Sequence, residues 1–179
     1  MPPLDCQRVS LGVNHAVLTY QTSHSPTDFG MTLEAAIGYF FFDKSLLRRA
    51  LTRSAYALEH PQEAHQHQAA YAVLGSYLLR TVLTELWIRA GHETEADLTM
   101  QRLAWEFDRE AHILSINEKT GLSYVIKFGQ DEKQRRAYND PQVLMECLEA
   151  VLGAIYFDGG FSAARKAIQK LFGEGMGMQ

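Results

Sequence analysis

The stretch Met145–Phe161, MECLEAVLGAIYFDGGF, most limits the folds open to this chain. Leu148, Val151, Leu152, Ile155 and Tyr156 recur at helical spacing, and the run stops at a glycine pair. So little of it is polar that the helix is expected to pass through a core rather than over it. Glu146 and Glu149 stand three apart and project from one face of that helix. Two carboxylates so close to a core point to a divalent metal site, provided other oxygen ligands complete the shell. A second central helix, predicted over Gln68–Trp87, is the place to look for them. There Ala72 and Ser76 lie four apart, the right spacing for a second acidic pair, but neither is a carboxylate. The chain carries half of a metal site.

The chain in order predicts helices throughout. Residues 1–30 form an N-terminal extension, with a short strand or extended arm around Val13, Ala16, Leu18 and Tyr20, then a linker over residues 23–30. Thr32 is placed to cap a helix carrying Leu33, Ala36, Ile37 and Phe40, and Asp43 to cap Lys44–Leu51. Arg48, Arg49 and Arg53 make a basic cluster that reads either as a solvated helix face or as a phosphate contact. His60, His65 and His67 lack the further Cys or His that zinc needs, and read as an exposed polar loop. Asp97 is placed to cap a helix whose inward face ends with Ile113, Leu114 and Ile116. Lys127–Pro141 reads as a charged loop, with Lys133, Arg135 and Arg136 as a second candidate phosphate patch or a solvated surface. Asp140 and Pro141 suit the cap and first turn of the central helix. A last amphipathic helix follows over Phe161–Phe172, and residues 174–179 are expected to be a flexible tail.

Composition enters as a set of exclusions. At 179 residues the chain is long enough for one domain with a real core, and 46% hydrophobic residues is ordinary for a globular protein. No apolar run reaches membrane-spanning length, and the start lacks the pattern of a secretory signal, so no membrane partner is expected. Cys6 and Cys147 are the only cysteines, which fits free thiols in the cytoplasm or another reducing compartment. A net charge of −4 argues against strong autonomous binding to nucleic acid but leaves room for a local basic patch.

Several segments together resemble the catalytic domain of the ribonuclease III family. ECLEAVLGAIYFDGG, Glu146 to Gly160, is similar to that family's DALEALIGAIYLDGG helix. HQAAYAVLGSYLL, His67 to Leu79, matches its NERLEFLGDAVL signature helix in outline only. IGYFFFDKSLLRRALTRSAYALEHP and KFGQDE match further family stretches, and LTMQRLAWEFD keeps Thr99 and Arg102 of another. The resemblance covers about residues 33–172 and implies an all-α ribonuclease III-like helical domain over residues 31–173. Where the family has His-Arg-Ser, this chain has Arg53, Ser54 and Ala55. That change implies altered hydrogen-bonded support around the site.

The resemblance also implies what the site has lost. The family's first acidic pair falls on Ala72 and Ser76, and an additional glutamate falls on Ala69. The second pair falls on Glu146, usually Asp, and Glu149. Hydrolysis of a phosphodiester by this chemistry needs a divalent ion to activate water and stabilise developing charge. Glu146 and Glu149 are then the vestigial catalytic and metal-binding positions. No cofactor is expected, or magnesium or manganese if cleavage persists. The family's dimer-contact phenylalanine falls on Val73, which with Tyr77 forms either a dimer face or ordinary core. Without room for an appended double-stranded-RNA-binding domain, the leading expectation is an inactive domain acting by dimerisation and by binding structured RNA or a ribonucleoprotein. Its partner would be a second copy or a related domain. The alternatives are a divergent metal-dependent endoribonuclease and a protein-interaction scaffold without RNA binding.

Overall fold

The computed structural model describes residues 33–64 and 66–173. The N-terminal extension, the Thr32 cap, His65 and the tail at 174–179 lie outside the described residues. Among these residues the fold is helical, as the sequence predicts: α1 (33–37), α2 (Lys44–Ala50), α3 (Ser54–Glu59), α4 (Ala69–Arg89), α5 (Glu95–Thr120), α6 (Leu122–Val125), α7 (Gln130–Gln134) and α8 (Pro141–Phe172). No described helix is long and apolar enough to cross a membrane.

The core is the packing of α4 along α8, flanked by α2 and α5. Leu144, Leu148, Leu152 and Ile155 of α8 are fully buried, as are Val82 and Leu83 of α4. Two glycines let these helices approach backbone to backbone. A Cβ on Gly75 would collide with the carbonyl of Glu149, and one on Gly153 with the carbonyl of Tyr71. This contact sets the site's width, because Glu149 and the α4 positions it faces lie at the point of closest approach.

Helix ends follow local chemistry. The Asp43 carboxylate accepts from the Ser45 amide at 2.8 Å, and Asp140 from Gln142 at 2.9 Å with Pro141 in the first turn. Gly160, at φ 74° and ψ −177°, breaks α8 into two limbs in a conformation open essentially to glycine alone. Beside that break, Asp158 accepts from the amides of Phe42 and Asp43 and from the Tyr39 hydroxyl, tying the α1–α2 turn to α8. These bonds outweigh its partial burial and hold the Asp158 pKa below the usual carboxylate range.

Five expectations need correction. The first helix stops at residue 37, before Gly38 at φ 80°, and leaves Phe40 outside it and exposed. Thr94, not Asp97, is the N-cap of α5; Asp97 is its reciprocal partner three residues in, a capping box. Leu114 and Tyr156 face outward, because the curved apolar stripes of α5 and α8 pass beside them. The segment expected as a loop before Pro141 contains α7 and a short 3₁₀ turn over Ala137–Asn139. The reason is a cap supplied from afar: both oxygens of Glu59 accept from the Gln130 amide, at 2.8 and 2.9 Å, at the start of α7. Arg53, expected among candidate phosphate contacts, is buried, for a reason that belongs to the site itself.

Candidate functional site

The site begins at a backbone junction. The Lys127 amide donates to the Leu51 carbonyl at 2.8 Å, and the Arg53 amide donates to the Lys127 carbonyl at 3.1 Å. Between them the Thr52 carbonyl accepts from the Gln68 amide at 2.9 Å. This short parallel bridge fixes Arg53 at the mouth of α3 and aims it inward, between α4, α7 and α8.

The guanidinium of Arg53 is engaged on all three nitrogens there. Its Nε donates to Glu132 Oε1 at 2.9 Å, and Nη2 lies 2.8 Å from the same oxygen. Its Nη1 donates to Glu146 Oε2 at 2.7 Å. The Gln68 amide accepts from Nη1 at 2.7 Å and donates onward to the Ala50 carbonyl at 3.0 Å. Burial works against the charge, but the hydrogen bonds to Glu132 and Glu146 outweigh it and hold the guanidinium pKa above its ordinary value. Four of its five N–H donors are thus committed inside the fold, which makes Arg53 a partner of internal carboxylates rather than an open phosphate contact.

Glu149, one turn along α8, meets a second arginine. Arg109 of α5 places Nη2 at 3.5 Å from Glu149 Oε1. Burial raises the Glu149 pKa, and the nearby charges of Arg109 and Arg80 only partly offset it. Between the two glutamates, the Cys147 thiol is pushed up to about 12 by burial and stays protonated at neutral pH.

The opposite wall supplies no acid. Ala72 is buried, Ala69 is exposed, and the Ser76 hydroxyl donates to the Val73 carbonyl at 2.8 Å within its own helix. Among the described residues no group of three or more His, Cys, Asp or Glu side chains is arranged to hold a metal. The donors present do not fit a divalent ion. Glu146 already contacts a cation, Glu149 faces another, and an arriving ion would meet two like charges with too few oxygens to outweigh them.

The other expected residues divide by position. Arg48 is exposed, while Arg49 is half-buried, with Nε donating to the His67 carbonyl at 3.3 Å and its guanidinium 4.3 Å over the Tyr71 ring. Lys133, Arg135 and Arg136 are all exposed around α7, away from Arg48 and Arg49 along the chain. Val73 and Tyr77 are 59% and 64% exposed on the outer face of α4, so they are not core. Sequence reasoning gave no role to Arg109, Glu132 or Gln68. An arginine on the inward stripe Trp105, Arg109, Ile113, Ile116 was one available signal. The Gly129-to-Glu132 spacing, half of a capping box in which Glu132 Oε2 accepts from the Gly129 amide at 3.1 Å, was another.

The core is thus all-helical, with two carboxylates on its central helix and an arginine set against each. Residues 43–174 match the family described as Ribonuclease-III-like, and the chain belongs to that family. Ribonuclease 3 of Heliobacterium modesticaldum is 33% identical over 145 residues, 80% of this chain and 61% of the relative. Ribonuclease 3 of Carboxydothermus hydrogenoformans is 31% identical over 145 residues, with the same coverage. The chain thus spans about three-fifths of these curated relatives. The crystal structure of the nuclease domain of ribonuclease III from Campylobacter jejuni superposes with a TM-score of 0.68 at 27% identity, covering 82% of this chain and 95% of that one. A second structure of that domain, described for flexibility in a region involved in dimer formation, gives a TM-score of 0.67 at 27% identity over 80% of this chain and 95% of that one.

Proposed function

We propose that this Ribonuclease-III-like domain binds structured RNA, or a ribonucleoprotein, as a dimer without cleaving it. The observation that carries the reading is the pair of arginines against the remaining acids: Arg53 at 2.7 Å from Glu146 and Arg109 at 3.5 Å from Glu149, while α4, packed along α8, has Ala72 and Ser76 where the resemblance puts acids. Glu146 and Glu149 are then vestiges of a metal site, kept as internal counter-charges. Val73 and Tyr77 offer an exposed apolar face for a second copy or a related domain, in line with the dimer-forming region described for the Campylobacter jejuni domain. Arg48 and Arg49 on one side, and Lys133, Arg135 and Arg136 on another, supply cations for phosphates without Arg53.

The test is cleavage of structured double-stranded RNA by the natural chain and its Glu149→Ala variant, in magnesium and in manganese. No product from either, beside product from an active relative under the same conditions, is the expected outcome. Cleavage by the natural chain that disappears in the variant would overturn it. That result would establish the second reading, a divergent endoribonuclease, which the relatives named Ribonuclease 3 favour.

A further inference from the structure

A cavity of about 400 Å³ opens beside the junction at Thr52, between α2 and the segment leading into α4. Arg48, Arg49 and Lys127 line it, together with Ser45, Thr52 and Tyr71. Its volume is that of a small-ligand pocket. None of the three cations forms a salt bridge among the described residues.

Two of the three are held in place, while Arg48 is exposed at the rim. Lys127 is fixed by its backbone on both sides of the Thr52 bridge, and its Nζ lies 5.1 Å over the Tyr56 ring. Arg49 is fixed by the His67 carbonyl and by the face of Tyr71. The lining's one acid, Glu63, accepts from the Tyr56 hydroxyl at 2.7 Å and also feels the charge of Lys127, so it counts against the three cations. Three cations and one carboxylate leave a net charge of about +2, which a singly ionised phosphodiester does not match. A terminal phosphate does, since a phosphate monoester carries close to two negative charges at neutral pH. Leu46 and Ala64 give the lining an apolar part on which a sugar can rest.

We propose that this cavity binds a terminal phosphate monoester, at the end of an RNA strand or on a free nucleotide. The proposal deepens the RNA-binding reading above, and its experiment separates the two. Three probes are titrated by NMR or fluorescence: uridine 5′-monophosphate against uridine, a tetranucleotide with and without its 5′-phosphate, and a hairpin RNA ending in 5′-hydroxyl. They are run on the natural chain, on Arg48→Ala/Lys127→Ala, and on Arg48→Gln/Lys127→Gln in case the first is poorly folded. Both side chains are exposed, so the fold does not depend on them.

The expected result is roughly tenfold or tighter binding of each phosphorylated probe over its hydroxyl counterpart, lost in the double variants. That preference also weakens below pH 6, as the monoester dianion takes up a proton and becomes a monoanion. Phosphorylated nucleotide and tetranucleotide binding alike places the site at a strand end; the nucleotide alone binding assigns it to free nucleotides. Equal binding of phosphorylated and hydroxyl probes, or a preference surviving in a folded double variant, overturns the proposal. Hairpin bound without a phosphate preference leaves RNA binding standing and removes the cavity's role. Phosphate preference with no hairpin binding does the reverse.

Discussion

Arg53 ties two elements together, because it serves an acid in each. Replacing it with methionine leaves the buried Glu132 only the Gly129 amide and the more distant Arg135, at 3.8 Å, and removes the partner of Glu146. We expect Arg53→Met to cost about 3–5 kcal/mol of stability in urea unfolding, the usual scale for breaking one side of a buried pair. Arg53→Lys should recover only part of this, since an ammonium cannot reproduce the fork that meets Glu132 and Glu146 together. Glu149 gives a prediction of opposite sign. Its pKa is raised by burial, so the native state holds its proton more tightly than the unfolded chain does. The resulting stability is fully present below the unfolded value near 4.5 and is lost as pH rises through the folded value. Glu149→Gln removes that dependence. Its stability relative to the natural chain should therefore climb from pH 4 toward neutrality, read from paired denaturation curves; a flat difference would show that Arg109 cancels the burial.

At the scale of elements, the α4–α8 contact depends on the absence of two side chains. Gly75→Ala places a methyl against the Glu149 carbonyl with no flexible neighbour to yield. The helices must separate, and a loss of at least about 2 kcal/mol is expected in thermal or urea melts. Both helices were legible in the sequence: the apolar run, the glycine pair and the Asp140–Pro141 start are local signals, and the structure keeps each of them. So was the absence of acids at Ala72 and Ser76. What local pattern could not supply was the partner of each acid. Arg53 reads as one of three basic residues in a row of helix ends, and only the pairing of Thr52 with Lys127, far apart in sequence, turns it inward. Glu59 capping α7 across a similar gap hid that helix for the same reason.

For the whole molecule, the exposed α4 face sets the expectation. Tyr77→Lys, with Val73→Lys beside it, should shift the chain toward monomer in sedimentation while leaving its helical signal unchanged, since neither side chain is buried. A monomeric natural chain, measured across micromolar concentrations, would instead direct the search to a related domain as partner. Stability also has an acid limit. Asp158 and Glu85 have pKa values held low, Glu85 chiefly by its bonds to Arg165 and Arg89. Their support is present above the ordinary carboxylate range and is lost as pH falls through their lowered values.

The double engagement of Arg53 has a consequence for redesign. Carboxylates placed at positions 72 and 76 would add oxygen donors on α4, yet Glu146 would still be held by a guanidinium at 2.7 Å. Removing Arg53 takes the main counter-charge from the buried Glu132 and weakens the fold. Neither change alone makes room for a divalent ion, so the two have to be made together.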